Sequence, residues 1–104
     1  MRKKLDLILP GEILWKEFME PQGLSQNKLA RDIDVPVTRI SDIIHGRRGL
    51  TADSALRLSV YFGTTAEFWL NLQTRYELKV SRRDILPQIE KNVRPFVGQG
   101  SMVS

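Results

Sequence analysis

The sequence of 104 residues contains no cysteine and a single histidine, His45. Without cysteine there are no disulfides, thiolate zinc sites or thiol nucleophiles, a composition that fits a reducing cytosol. One histidine without a partner is poor material for a metal site or an acid–base pair. The chain also lacks a glycine-rich phosphate loop and any pair of inward acids at hydrolase or metal spacing, since Glu12 and Glu17 fall on the solvent side of an amphipathic segment. An enzyme is therefore the class that the residues support least, and no cofactor and no metal are expected. No apolar run approaches the roughly 18 residues of a membrane span. The first residues, MRKKLDLILPGEI, lack the apolar length and small-residue cleavage site of a signal peptide. A soluble, cytoplasmic chain with no membrane partner is expected. Strand signals and internal repeats are absent as well, although residues 5–9 would suit an edge strand in a complex.

What the chain does contain is charge of a mildly basic balance, +4 overall with a pI near 9.8, as befits a protein that meets a polyanion. Its most informative stretch is residues 24–50, LSQNKLARDIDVPVTRISDIIHGRRGL. With residues 36–45 placed about 100° apart on a helix, Ile40, Ile43 and Ile44 fall in one narrow arc with Val37 at its border. That face must be buried. The opposite arc holds Thr38, Asp42 and His45, flanked by Arg39 and Ser41, all with hydrogen-bonding groups. Pro36 suits the first turn, and Gly46 supplies a left-handed residue at the end. A preceding helix starts at Ser25, whose hydroxyl can accept from the free N–H groups of the first turn, and runs to Ile33. Leu29, Ala30 and Ile33 form its apolar side, and small Ala30 permits close helix approach. Asp34-Val35 is short enough to force a sharp crossing. This is a helix-turn-helix, the device that presents one helix to a DNA major groove, but the same shape occurs in purely structural bundles.

The flanks also read as helices. Residues 10–19 place Ile13, Leu14 and Phe18 inward, with Pro21 and Gly23 as the stop. Thr51 caps a fourth helix whose stripe is Ala55, Leu58 and Phe62, with Asp53 at its positive N-terminal end and Gly63 after it. Thr64 or Thr65 caps a fifth, Thr64 and Glu67 standing at capping-box spacing, with Phe68, Trp69, Leu72 and Tyr76 as a broad apolar surface. Five helices with short connections make an all-α domain, and 104 residues leave room for one compact unit.

PGEILWKEF, GLSQNKLA, VPVTRISDIIHGRRGLTADSALRLSVYFGT and EFWLNLQTRYEL, which span residues 10–78, about two thirds of the chain, are colinear with the XRE/Cro-like helix-turn-helix family. With its flanks the sequence resembles one branch of it, the HigA-type antitoxins of toxin–antitoxin modules. The resemblance implies an XRE/lambda-repressor-like domain over residues 10–79, an N-terminal arm over 1–9 and a C-terminal extension over 80–104. It also implies a DNA-binding autorepressor that neutralises a cognate RelE-like ribonuclease toxin. The alternatives are a stand-alone phage-type repressor without toxin, and a protein interaction module in which the helix-turn-helix is structural.

On that resemblance, DNA is met by Gln26, Val37, Thr38, Arg39, Ser41, Asp42, Arg47 and Arg48. Gln26 matches a position that hydrogen-bonds a backbone phosphate, beside a helix N-terminus that favours the anion. Arg39 can donate in bidentate fashion to guanine; the competing reading is an arginine held by Asp42 three residues on. Asp42 can accept from cytosine or orient Arg39. Arg47 and Arg48 are candidate phosphate clamps, against simple solubility. Trp69, Leu70, Leu72 and Tyr76 are divided between core and a homodimer surface. A symmetric dimer would set two recognition helices about 34 Å apart over an inverted-repeat operator in double-stranded DNA. Beyond Ser81, Ile85, Leu86 and Ile89 suggest one short helix interrupted by Pro87, then a glycine-bearing end that is ordered on a partner subunit, folds on a toxin, or is partly disordered.

Overall fold

The computed structural model describes residues 7–98. They form helices α1 (Pro10–Ile13), α2 (Gln26–Ile33), α3 (Val37–Ile44), α4 (Ala52–Phe62), α5 (Ala66–Asp84) and α6 (Leu86–Asn92), and no strand occurs among them. Of the edge strand considered at 5–9, residues 7–9 carry none and the rest lies outside the described residues.

The first helix is not uniform. α1 passes into a π-helical stretch, Leu14–Met19, and then a 3-10 turn, Glu20–Gln22. Leu14 and Met19 are both fully buried, and the wider i→i+5 turn explains it. On an α-helix residues five apart diverge by about 140°, so Met19 would point away from the core. That is why a strictly α-helical reading of the segment passes over Met19.

The other boundaries follow local chemistry. The Ser25, Thr51 and Thr65 hydroxyls accept from the N–H groups of Lys28, Ser54 and Phe68 at 3.1, 3.3 and 3.0 Å. Thr65 is thus the cap of α5. Thr64 takes another role, its Oγ1 accepting from the Trp69 indole N–H at 2.6 Å. Pro36 lies one position earlier than expected, as the extended N-cap of α3 with ψ 146°. Pro87 opens α6 instead of interrupting it, at a first-turn position where its missing N–H costs nothing. α5 continues to Asp84, across the boundary expected near residue 80.

The core gathers Leu14, Met19, Leu29, Ile40, Ile43, Leu58 and Trp69, all fully buried. Each such side chain contributes about 1.5–3 kcal/mol on leaving water. Phe18, half-buried, joins three elements through its ring, with centroids 5.1 Å from Phe62, 5.9 Å from Phe68 and 4.8 Å from Trp69. Trp69, considered for a dimer surface, is 0 % exposed. The indole fills the space between the π-helical stretch, α4 and α5, so it is core. Leu70, Leu72 and Tyr76 remain half-buried on the same helix.

Candidate nucleic-acid interface

Two turns of the same type position the face of α3. At the end of α2 the Val35 N–H donates to the Ala30 carbonyl at 3.0 Å and the Asp34 N–H to that of Arg31 at 3.3 Å, with Asp34 left-handed at φ 61°. This is a Schellman turn in which aspartate, one of the few side chains that tolerate that region, stands where glycine is usual. At the end of α3 the pattern repeats with Gly46 at φ 78°: Arg47 N–H to the Asp42 carbonyl at 2.8 Å and Gly46 N–H to that of Ile43 at 3.2 Å. The Arg48 N–H also reaches the Asp42 carbonyl, at 3.2 Å. Both arginines therefore leave from a backbone locked to the end of α3.

From behind, α3 is held by α1. A Cβ built on buried Gly11 would stand 1.8 Å from the Ile43 carbonyl oxygen, so only glycine lets the two backbones come this close. The loop after α3 is held from the other side by α5. The Gln73 Oε1 accepts from the Leu50 N–H at 2.8 Å, and its Nε2 donates to Glu77 at 2.9 Å. Neither Gly11 nor Gln73 was marked by its local pattern, since both act through contacts across the fold.

On α3, Ile40 and Ile43 are buried and Ile44 half-buried, while Val37 and Thr38 are exposed and Ser41 half-buried. Gln26, the first residue of α2, is half-buried. His45 closes α3, with Nδ1 2.8 Å from the Ser41 carbonyl oxygen. Asp42 does not orient Arg39. Its carboxylate accepts from Arg47 Nε at 2.9 Å, and Arg47 Nη2 also lies 3.3 Å from Ser41 Oγ. Arg39 turns instead to α4, where Nη1 donates to Asp53 Oδ2 at 2.5 Å. The same oxygen accepts from Arg57 Nε at 2.9 Å, and Arg57 Nη1 donates to the carbonyls of Ile33 and Asp34 at 2.8 and 3.3 Å. The hydrogen bonds from Arg57 and then Arg39 hold the Asp53 carboxyl below its usual range. A similar pair sits behind the turn: the Tyr61 hydroxyl donates to Asp32 at 2.6 Å, lowering the Asp32 carboxyl and raising the phenol. Arg57 and Tyr61 were not singled out in the sequence, because α4 reads there as an ordinary polar flank.

Among the described residues no group of three metal-ligating side chains comes together, and no helix is long and apolar enough to cross a membrane. A helix with one face on the core and a polar face outward, crossing a partner helix at a tight turn, defines the class of helix-turn-helix domains. A helix-turn-helix family model matches residues 16–69. Virulence-associated protein I of Dichelobacter nodosus is 47% identical over 83 residues, 80% of this chain and 77% of that one. The structure of an addiction module antidote protein of the HigA family from Coxiella burnetii superposes with a TM-score of 0.81 at 46% identity, covering 86% of this chain and 98% of that one. Pseudomonas aeruginosa antitoxin HigA, solved with the higBA promoter, gives 0.83 at 41% identity, covering 88% and 99%. The chain belongs to the XRE-type helix-turn-helix family of DNA-binding regulators, in its HigA antitoxin branch.

Proposed function

We propose that this chain is the antitoxin of a type II toxin–antitoxin module, that it binds as a homodimer to an inverted-repeat operator in its own promoter and represses transcription, and that it neutralises a RelE-like mRNA-cleaving ribonuclease toxin by direct contact. The observation that carries the DNA reading is the polar face of α3, with exposed Thr38 on the side opposite buried Ile40 and Ile43, in a chain similar over 88% of its length to an antitoxin solved with promoter DNA. Arg39 and Thr38 are assigned to base or phosphate contact near the start of α3, and Gln26 to a phosphate beside the α2 N-terminus. Arg47 and Arg48 are assigned to the backbone at the groove edge. The toxin rests on the family alone.

The test is binding of the purified protein to its own upstream duplex and to a scrambled duplex, at about 50 and about 200 mM salt, a range over which phosphate neutralisation lowers affinity steeply. Wild type is expected to prefer its own promoter. Arg39→Ala is expected to lower that preference by about tenfold, the scale of one bidentate base contact. Arg48→Ala is expected to weaken both duplexes alike and flatten the salt slope by about 1. A wild type indifferent to sequence at both salts would return the helix-turn-helix to a structural role and make protein partners the primary question.

A further inference from the structure

Arg39 and Asp53 belong to different helices, fourteen residues apart, and Arg57 joins their pair to the helix-turn-helix turn itself. The chain of contacts runs from the carbonyls of Ile33 and Asp34 through the Arg57 guanidinium to Asp53 Oδ2, and from that oxygen to Arg39 Nη1. The Arg39 side chain is 27 % exposed, the least exposed arginine in any ion pair among the described residues. A free surface arginine samples many rotamers and must be ordered when it docks on a base. This one is restrained in the free protein by its ion pair to Asp53. Because Nη1 carries the carboxylate, and no described residue bonds Nε or Nη2, one edge of the fork is left with two N–H groups, the number a guanine O6/N7 pair accepts. Two arginines around one carboxylate also leave the group net positive, so Asp53 can sit close to DNA without presenting an uncompensated negative charge to phosphates.

We propose that Asp53 is a positioning residue for operator reading: braced by Arg57 against the turn, it fixes the Arg39 guanidinium so that base sequence is discriminated. The proposal rests on the operator-binding reading above and adds two residues to it.

Affinities for the chain's own upstream duplex and the scrambled duplex, measured for wild type, Asp53→Asn, Arg39→Ala and the double variant, test it. Asp53→Asn is expected to lower the own-to-scrambled ratio by about tenfold, like loss of the base contact itself, while affinity for the scrambled duplex holds or rises because a negative charge is gone. In the Arg39→Ala background the same substitution is expected to leave the ratio where it is, since the residue it positions is absent. A ratio unchanged by Asp53→Asn, with both affinities raised alike, would make Asp53 an ordinary surface acid and overturn the proposal. An equal fall in the Arg39→Ala background would overturn it too, by showing that Asp53 acts independently of Arg39. Should Asp53→Asn lose its fold by circular dichroism, Arg57→Met decides the matter, because it leaves the acid at the α4 N-terminus and removes only the brace. It is expected to lower the ratio in Arg39 wild type and not in Arg39→Ala, and an unchanged ratio overturns the proposal. If wild type itself shows no preference, the operator reading fails and the role of Asp53 falls with it, an outcome distinct from a selective wild type whose selectivity ignores Asp53.

Discussion

Burying an indole N–H without an acceptor costs about 1–3 kcal/mol, so Trp69, at 0 % exposure, depends on the oxygen that Thr64 brings to 2.6 Å. Thr64→Val keeps the shape and deletes that acceptor. It is expected to lower unfolding stability by about 1–3 kcal/mol in urea titration, while Thr64→Ser retains most of it. A Thr64→Val midpoint equal to wild type would mean that water replaces the hydroxyl. The contrast with its neighbour shows what a single residue reveals in sequence. Two adjacent threonines before an apolar run mark a helix start, and either can cap it by local pattern alone. Only the packed position of Trp69 separates them. Ser25 and Thr51 had no competing neighbour, and their caps were legible. Asp42 and Arg39 are each other's local partner at a spacing of three, yet their partners in the fold, Arg47 and Asp53, lie five and fourteen residues off. Sequence spacing ranks local partners above those brought near by the fold.

Between elements, α1 meets α3 backbone to backbone at Gly11. The Cβ that alanine would add at Gly11 falls 1.8 Å from the Ile43 carbonyl oxygen and 2.7 Å from the Ile44 Cα, atoms of a helix backbone that cannot rotate aside. Gly11→Ala must lift α1 from the rear of α3. The expected cost is about 1–3 kcal/mol. For a domain of this size each kcal/mol lowers the melting temperature by about 4–8 °C, so the loss is plain in a thermal melt followed by circular dichroism. A variant that melts with wild type would show that α1 slides without penalty. Helix periodicity revealed most of the elements and the buried stripe of α3, because burial on one face writes itself into the residues. It could not reveal Gly11, whose importance lies in what faces it. Nor did it reveal the π-helical stretch that turns Met19 inward, since a 3.6-residue period is assumed in looking for a stripe.

The molecule as a whole is longer than its residue count suggests. Its radius of gyration is 17.5 Å over extents of 55 × 33 × 21 Å, where a compact domain of about 100 residues has a radius near 13 Å. Beyond the core, α5 runs on to Asp84 and is followed by α6. α6 packs chiefly on α5, and Ile85, Ile89, Val93, Phe96 and Val97 are all exposed. The described part of this region is helical through Asn92 and has no buried residue in α6. The helix-turn-helix core should therefore not need it. A chain ended at Asp84 is expected to melt within about 4 °C of full length at low protein concentration, a loss of under 1 kcal/mol. The comparison must be made at low concentration, because any self-association through the exposed apolar stripe would stabilise the full chain by mass action and widen the gap as concentration rises. A shortened chain that melts more than about 8 °C lower even when dilute would mean that the segment beyond α5 shields the core directly, and that the domain extends past its last long helix.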